Sequence, residues 1–393
     1  MSFDRIILEY PVGWIDPGAD PLSGQHLQCL ETIKLAANQL GLGFSTRTSL
    51  RMADFAPRIA PDNALLISVH TVGIAKNVVR LKESYLPGYY YFDRTGYSGW
   101  AEIAYNSVLQ GSANGYVDGG NAEFLNKIRH EKVTSNSSKY PQDSAIVGLD
   151  KRHEKPYIFL ALQTTDDLVA RLAYIDQIKL AYLLAEKAEE QSMQLVVKRH
   201  PLCIDTYIET SICRLAEKFN CVRLTSASVN KLIPDARAVV TVNSGVGFEA
   251  LIMGVPVISA GLSDYSFVTH QLHSGSDIEK FDFVEKKTIL KSIDNFLCFY
   301  LKNYCLHFSN IENAKFLIQK WGSEQYSSMH DLLNERFTLL DDIQFYMADL
   351  ENMRRSNLLK HDGFYLPDSL TKKSNMSVSV LKKIMSLKQR IFS

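Results

Sequence analysis

Short runs of apolar residues alternate with amphipathic stretches through most of this chain. In the first 150 residues, continuous apolar runs at 5–10, 64–69 and 89–92 predict buried strands, and apolar positions at helical spacing predict a helix at 24–40. Strands that alternate with helices are typical of a doubly wound α/β domain. We therefore predict a domain of this class in the first half of the chain.

The same alternation is stronger from residue 157 onward. We predict strands at 157–162, 195–198, 222–224, 238–242 and 256–259, and helices at 168–191, 204–219, 229–233 and 246–253. This order predicts a Rossmann-like domain, in which ligands bind beyond the carboxyl ends of the strands. Helices are predicted to dominate from 286 to about 359.

A segment at about 133–156 is rich in Ser, Asn, Lys and Pro and predicts a domain boundary. We therefore expect an N-terminal Rossmann-like domain at 1–150, a C-terminal one at 151–310, a helical segment packing across both at 311–365 and a basic tail at 366–393. The predicted fold class is α/β, with two Rossmann-like domains that face a central cleft and helices at the C-terminal end.

Composition excludes several classes of protein. The chain has 393 residues with 43 Lys+Arg and 43 Asp+Glu, so it has no charge bias toward nucleic acid. Its six cysteines show no C-x-x-C spacing and are expected to be reduced thiols of a cytoplasmic protein. The start of the chain does not have the pattern of a signal peptide, and no stretch approaches the ~20 apolar residues of a membrane span.

The end of the chain, 370–393, carries six basic residues, no acidic residue and an apolar set at helical spacing. One interpretation is a basic amphipathic helix that makes peripheral contact with an anionic membrane, at the inner face of a bacterial inner membrane. The other is a packed or poorly ordered terminal helix with a solvated face. The sequence leaves both open.

The segment TVNSGVGFEALIMGVPVISA, at 241–260, predicts a strand, a small-residue turn, a helix and a second strand. A helix that begins in such a turn offers unpaired N–H groups and a positive dipole end to an anion such as phosphate. We expect Gly245 and Gly247 to let a ligand approach the backbone, and Glu249 to hold a ribose hydroxyl. The alternative is an ordinary packing turn of an α/β domain.

Two further predicted strands end in polar residues. The segment VVKRHP places Lys198, Arg199 and His200 after one strand, and YIFLALQTTDD places Gln163 and the pair Asp166 and Asp167 after another. Carboxyl ends of parallel strands share one edge of a sheet, so these groups should converge on one pocket. The alternative for either aspartate is a cap of the helix that follows. His70, after the run at 64–69, is a weaker candidate of the same kind.

The loop FDRTGYSGWAE combines aromatic and charged residues that suit a sugar ligand. Aromatic rings stack on sugar faces, and carboxylate or guanidinium groups bind hydroxyls and carboxylates. The candidates for acceptor or sugar binding are Asp93, Arg94, Tyr97 and Trp100, and Glu102 follows directly. The alternative is a surface loop with incidental aromatics.

Three of these motifs together resemble a known family. Q-x-x-x-D at Gln163 and Asp167, K-x-H-P at 198–201 and NSGVGFEAL at 243–251 are similar to the retaining β-Kdo transferases of bacterial capsule and lipopolysaccharide assembly. The chain is most similar to the O-antigen chain-terminating type, including its GYSGW loop. The resemblance covers residues 85–265, and its HP and Ser/Gly motifs are shared more loosely with sialyltransferases, which also use CMP-sugars.

The resemblance implies a GT-B-like enzyme that takes Kdo from CMP-β-Kdo to a glycan or glycolipid acceptor and needs no metal or other cofactor. In that family's mechanism Asp167 would be the nucleophile that forms a covalent adduct, and His200 would contact the phosphate or the Kdo carboxylate. Glu102 would be the acid/base from the facing domain. The donor-binding residues would be Gln163, Lys198, Arg199, Asn243, Ser244, Gly245 and Glu249.

Other functions remain open at the level of sequence. An inverting transferase of the CMP-sialic acid type would use the same donor domain. A UDP-sugar enzyme is a weaker alternative, because the two-glutamate donor motif of such enzymes is absent around Glu249. From another class, the chain would be a noncatalytic glycan- or nucleotide-binding module of a polysaccharide synthase complex.

Overall fold

The computed structural model describes residues 3–18, 20, 22–49, 58–136, 138, 155–165, 167–284 and 291–321. The predicted tail at 366–393, most of the predicted segment 311–365 and residue Asp166 therefore lie outside the described residues. The described elements all belong to one compact unit.

The described part of the chain forms two sheets, with helices between and around the strands. In the first half the elements are β1 (Arg5–Pro11), α1 (Ser23–Gln39), β2 (Gly43–Ser49), β3 (Ala64–Val69), β4 (Val78–Glu83), β5 (Tyr89–Asp93), α2 (Ser107–Asn114) and α3 (Asn121–Ser135). In the second half they are β6 (Tyr157–Ala161), α4 (Gln177–Glu190), β7 (Gln194–Lys198), α5 (Thr206–Lys218), β8 (Val222–Leu224), α6 (Val229–Leu232), β9 (Ala238–Thr241), α7 (Gly245–Ile252), β10 (Val257–Ser259), β11 (His270–Gln271), α8 (Gly275–Glu279), α9 (Lys291–Phe299), β12 (Cys305–His307) and α10 (Ile311–Trp321).

The first sheet has the strand order β2-β1-β3-β4-β5-β12. Strands β1 to β4 run parallel, β5 is antiparallel to β4, and β12 is antiparallel to β5. β3 is buried at every position, as expected for a continuous apolar run in a covered parallel sheet. The sequence patterns did not predict β2, which is largely exposed, or β4, where the run VVRLKE mixes apolar and charged residues.

The second sheet is entirely parallel and has the order β8-β7-β6-β9-β10-β11. This is the strand order of the Rossmann fold, in which the chain direction along the sheet reverses between the first strand and the fourth. Here that point lies between β6 and β9. The fold is therefore α/β with two Rossmann-like domains that face a cleft, in the GT-B-like manner.

One predicted helix is wrong at its start. Residues 168–172 form a short 3-10 turn, and α4 begins only at Gln177. The side chain of Asp176 accepts hydrogen bonds from the amides of Ile178 and Lys179 at 3.1 and 2.9 Å, and so caps the helix. Just before it, Tyr174 donates its amide hydrogen to the carbonyl of Ala260, so this amide is not available to a helix.

The packing of the chain crosses the boundaries expected at 150 and 310. Helix α3 precedes the first boundary, yet Arg129 donates to the carbonyl of Ile252, at the end of α7, at 2.7 Å. Strand β12 precedes the second boundary, yet it pairs with β5 of the first sheet. Helix α10 then packs on α1. Each domain is thus completed by a segment from the other half of the chain.

Candidate functional site

A cleft lies at the point where the strand order of the second sheet reverses. It has a volume of about 220 Å³, and both domains line it. The predicted donor-side residues that line it are Gln163, Asp167, Lys198, Arg199, His200, Asn243, Ser244, Gly245 and Glu249. The structure thus brings the ends of β6, β7 and β9 together in one site.

Asp167 has two roles in this geometry. Its Oδ1 atom accepts a hydrogen bond from the amide of Val169 at 3.0 Å, so it caps the 3-10 turn at 168–172. The residue is nevertheless exposed and lines the cleft. The cap uses only one carboxylate oxygen and fixes the orientation of the group. A carboxylate oriented in this way suits attack on an electrophilic carbon of a ligand.

His200 follows β7, and its ring tautomer is set by the backbone. The amide of Leu202 donates to its Nδ1 atom at 3.2 Å, so the neutral ring carries its proton on Nε2. The residue is half-buried and lines the cleft. Its Nε2–H group is therefore a donor suited to an anionic oxygen of a ligand.

The N-terminus of α7 borders the same cleft. Ser244 is its N-cap, and its Oγ atom accepts from the amide of Val246 at 3.4 Å. Accepting this bond leaves the hydroxyl proton available to donate, and the amide of Gly245 is at the first helical position, where no intrahelical partner exists. The helix end therefore offers two donors and a positive dipole to an anion.

Glycine is required at two positions of α7 because of packing against aromatic rings, and not for the ligand approach expected from the sequence. A Cβ atom on Gly245 would lie 2.8 Å from a ring carbon of Tyr85, and one on Gly247 would lie 2.5 Å from the hydroxyl oxygen of Tyr265. Tyr265 in turn donates to the carbonyl of Ser244 at 2.5 Å. The glycines thus admit two aromatic rings that buttress the start of the helix, rather than a ligand.

Asn243 connects the turn before α7 to the turn that follows Asp167. Its Nδ2 atom donates to the carbonyls of Val169 and Leu262 at 2.7 and 3.2 Å. The residue is 1% exposed, and within the part of the chain that the structure describes its Oδ1 atom has no hydrogen-bond partner. Asn243 therefore positions the Asp167 turn and leaves one buried acceptor at the cleft.

Glu249 lines the cleft but is bound inside the protein. Lys132 of α3 lies 3.0 Å from its Oε2 atom, and the hydroxyl of Ser138 donates to Oε1 at 2.7 Å. Lys132 and Glu249 are both buried. Removal of one partner from a buried ion pair strongly destabilises the protein, because the other charge is left uncompensated. The ribose contact expected for Glu249 is not supported by this geometry, because its carboxylate attaches α3 to α7.

The other donor-side residues are also engaged within the protein. Lys198 donates to two backbone carbonyls at 226–227, at 2.7 and 2.8 Å, and so holds the loop after β8. Arg199 pairs with Glu209 at 2.9 Å. The side-chain oxygen of Gln163 accepts from the amide of the next residue at 3.1 Å, which leaves its NH2 group as the donor end.

Sequence reasoning missed most of the opposite wall. The first domain lines the cleft with His70, Lys82, Glu83, Tyr85, Tyr91, Tyr97 and Ser98. Lys82 and Glu83 form an ion pair at the end of β4, and Glu83 is the only carboxylate on this wall among the described residues. The strand itself was not predicted, so no signal pointed to its carboxyl end.

Tyr97 is the member of the GYSGW loop whose ring reaches the cleft. The edge of the His70 ring packs on it, with centroids 5.4 Å apart, and the ammonium of Lys82 lies 6.0 Å from its ring centroid. His70 adopts a left-handed backbone conformation, with φ of 59°. Such a conformation is costly for a non-glycine residue, which indicates that packing fixes this side chain.

Asp93 is buried away from the cleft at the centre of a hydrogen-bonded turn. Its carboxylate accepts from the amides of Thr95 and Gly96, both at 2.7 Å, and from the amide of Glu102 at 3.1 Å. The hydroxyl of Tyr304 also donates to it. With its oxygens occupied by the protein, the expected role of Asp93 in substrate binding is not supported.

Glu102 is buried and does not line the cleft, so this geometry does not support the acid/base role expected for it. Its carboxylate lies 3.5 Å from Arg94 and accepts from Asn106 at 2.9 Å, and burial raises its pKa although Arg94 opposes the shift. Arg94 and Trp100 are likewise buried and do not line the cleft. We call Asp93, Arg94, Glu102 and Tyr304 the loop cluster, since together they fix the FDRTGYSGWAE loop.

The GYSGW loop forms the contact between the two domains. A Cβ atom on Gly99 would lie 2.4 Å from the carbonyl oxygen of Leu262 and 2.5 Å from a methyl group of Leu172. Trp100 donates to the carbonyl of Leu168 at 3.3 Å. These close approaches require glycine at 99, and they explain the motif as packing between domains rather than as acceptor recognition.

A second contact between the domains surrounds Asp264. Three hydroxyls donate to its buried carboxylate: Tyr85 at 2.7 Å, Tyr91 at 2.9 Å and Tyr300 at 2.6 Å. Burial raises the pKa of Asp264 to about 6, and the three hydrogen bonds oppose this shift. Because Tyr85 and Tyr91 also line the cleft, Asp264 fixes part of its wall.

Comparison with known proteins adds to this geometry. Residues 114–287 match the family model described as "Capsule polysaccharide biosynthesis protein". The match covers less than half of the chain and includes α3 and the strand ends of the second sheet that line the cleft.

Protein FixF of Sinorhizobium fredii is 28% identical over 195 residues, which are 48% of this chain and 43% of FixF. The chain thus spans less than half the length of that relative. Among solved structures, it is similar to Thermosulfurimonas dismutans KpsC, as a beta Kdo 2,4 transferase (TM-score 0.47, 16% identity, 77% of this chain and 92% of the other). It is also similar to the KpsC beta Kdo 2,7 transferase (TM-score 0.44, 15% identity, 81% and 100%).

Within the described ranges, neither a membrane-spanning helix nor a group of metal-ligating residues is present. No helix there has the length and hydropathy needed to cross a bilayer. In the same ranges, no three residues among His, Cys, Asp and Glu lie together as potential metal ligands.

Proposed function

We propose that the chain is a glycosyltransferase of capsule or related surface-polysaccharide assembly, which transfers Kdo from CMP-β-Kdo with retention of configuration. The observation that carries the proposal is the position of Asp167. Its capped carboxylate lines the cleft together with His200 and the α7 N-terminus, at the strand-order reversal where such sheets bind ligands. The family match of residues 114–287 supports the polysaccharide context.

The second-domain wall suits the nucleotide end of the donor. The Nε2–H group of His200, the hydroxyl of Ser244 and the amide of Gly245 are donors for a phosphate oxygen, and the dipole of α7 favours its charge. A monophosphate leaving group stabilised in this way does not need a bridging metal ion. The donor would be bound mainly by this wall.

The transfer would take place in two displacements. In the first, an oxygen of Asp167 forms a bond to the anomeric carbon of Kdo, and the bond from that carbon to the phosphate oxygen breaks, so that CMP leaves with the electron pair. In the second, an acceptor hydroxyl oxygen bonds to the anomeric carbon and the Asp167 ester bond breaks. Two inversions give net retention.

The second displacement needs a base for the acceptor hydroxyl proton, and Glu83 would serve. It lies on the first-domain wall of the cleft, where it pairs with the ammonium of Lys82. Glu102, which the resemblance would make the acid/base, is enclosed by the loop cluster. The acceptor would therefore approach from the side of β4.

The experiment is incubation with CMP-Kdo, generated in situ, with and without a panel of acceptor glycans. Intact-protein mass should show a Kdo adduct without acceptor, and that adduct should disappear when an accepted glycan is added. Asp167→Asn should abolish both adduct and transfer, while CMP affinity stays within a few-fold. An active Asp167→Asn enzyme, or transfer with inversion, would contradict the proposed mechanism.

A matched control is available for this variant. Asp176 caps α4 as Asp167 caps its turn, but it does not line the cleft. Asparagine is as good an N-cap as aspartate, so both substitutions preserve the cap. Asp176→Asn should retain full transfer, and equal losses in the two variants would indicate a folding effect instead of a lost nucleophile.

A further inference from the structure

The hydroxyl of Tyr97 is a buried polar group at the cleft with no hydrogen-bond partner among the described residues. The residue is 4% exposed. A hydroxyl buried without a partner costs about 1–3 kcal/mol, so native proteins leave few of them. At a ligand cleft, such a group marks a position where a ligand atom completes the hydrogen bond.

The side chains around Tyr97 determine which ligand atom fits. Burial raises the pKa of Tyr97, and the nearby carboxylate of Asp167 raises it further, so the phenol stays protonated and is a donor at working pH. Tyr97 and Asp167, the proposed nucleophile, line the same cleft, so the hydroxyl is on the side of the reacting centre. Its partner is therefore an acceptor oxygen of the group that is transferred.

Lys82 selects among acceptor oxygens. Its ammonium lies over the ring of Tyr97, at 6.0 Å from the centroid, in the same wall of the cleft. A donor hydroxyl and an ammonium in one wall of a cleft favour an anionic acceptor, since hydrogen bonds to ionised groups are about twice as strong as neutral ones. Without a ligand, the charge of Lys82 is balanced by Glu83. A bound carboxylate would interact with the same ammonium group.

The opposite wall offers a complementary group. The Oδ1 atom of Asn243 is a buried acceptor without a partner among the described residues, and its orientation is fixed because Nδ2 is bound to two carbonyls. It suits a sugar hydroxyl. The walls therefore present an acceptor on one side and a donor next to a cation on the other, which matches a hydroxylated sugar that carries an acid group.

We propose that Tyr97 and Lys82 form a subsite for the carboxylate of the transferred sugar, in which the phenol donates to one carboxylate oxygen. This subsite rests on the function proposed above and narrows its donor to sugar acids. Tyr97 and Ser98 are the members of the FDRTGYSGWAE loop that line the cleft. The subsite gives Tyr97 a role there, while the charged residues of the loop pack within the protein.

The test uses the full chain, saturated with CMP, and compares the affinities of Kdo and of its methyl ester by ligand-observed NMR. The wild type should bind Kdo at least tenfold more tightly than the ester. Tyr97→Phe, which removes only the hydroxyl, should weaken Kdo binding by about tenfold or more and leave CMP binding within twofold. Lys82→Met should remove the preference for the acid over the ester.

Tyr116→Phe is the matched control, because this half-buried tyrosine packs on Phe299 outside the cleft. It should bind both ligands as the wild type does. Equal wild-type affinity for Kdo and its ester, or unchanged Kdo binding by Tyr97→Phe, would overturn the subsite even if Kdo transfer were found. Selective binding of the acid without any transfer would retain the subsite and reject the proposed reaction.

Discussion

The loop cluster and the cleft both gather carboxylates at the ends of strands, but the carboxylates have different partners. In the loop cluster, Asp93 accepts from three backbone amides and a tyrosine hydroxyl, and Glu102 is paired with Arg94. In the cleft, Asp167 uses one oxygen for a cap and remains exposed. A strand-end carboxylate is therefore a candidate for chemistry only when the fold has not already used its lone pairs.

The largest expected effect is the difference in stability between two variants, each of which replaces aspartate by asparagine in one of the two regions. In either orientation of its amide, Asp93→Asn places an NH2 group opposite a backbone amide, that of Thr95 and Gly96 or that of Glu102, and it removes a buried charge. We expect a loss of about 3–5 kcal/mol in the free energy of unfolding, measured by urea denaturation. Asp167→Asn should change it by less than about 0.5 kcal/mol. Similar losses in both variants would remove the distinction between the regions.

Glu83 in the cleft and Glu102 in the loop cluster extend the same comparison from stability to reaction rate. Glu83→Gln should lower kcat by about 10²-fold or more, because the acceptor hydroxyl loses its base, while formation of the Kdo adduct without acceptor persists. Glu102→Gln should leave kcat within about threefold and instead lower stability by about 1–3 kcal/mol, since Arg94 loses its charged partner. Single-turnover transfer and urea denaturation measure the two effects. A kinetic defect in Glu102→Gln but not in Glu83→Gln would indicate that Glu102, and not Glu83, is the acid/base.

The last prediction concerns the pH dependence of Asp264, a third carboxylate, which joins the two domains. Its pKa of about 6 lies above its ordinary value of 3.8, so the folded protein binds a proton more tightly than the unfolded chain does. Stability from this group is therefore full below about pH 4 and falls as pH rises through 6, by about 2–3 kcal/mol. The difference in unfolding free energy between wild type and Asp264→Asn should follow that course. A difference independent of pH between 4 and 7 would contradict it.

Much of the second domain could be predicted from the sequence because its strands and strand ends are marked by residues that are close together in the chain. Continuous apolar runs marked β6, β7 and β9, and the polar residues after them identified the cleft wall that the structure brings together. The fold class followed from the same alternation of strands and helices. Topology then placed the strand ends at one edge without any knowledge of distant contacts.

The remaining features depend on contacts between distant segments. Glu102 and Asp93 looked available in the loop sequence, because Tyr304, which occupies Asp93, comes from the far end of the described chain. Glu249 looked available for a ribose, because Lys132 lies in a helix assigned to the other domain. Asp264 gave no signal at all, since its three tyrosines are scattered along the sequence.

The interleaved path of the chain limits how this protein can be recombined. Helix α3 completes the second domain from the first half of the sequence, and β12 with α10 completes the first domain from the second half. A chimera that exchanges acceptor specificity by a single crossover near residue 150 would separate Lys132 from Glu249 and β12 from β5. Exchange of domains between relatives should therefore succeed only when α3 is transferred together with the second domain, and β12 and α10 together with the first.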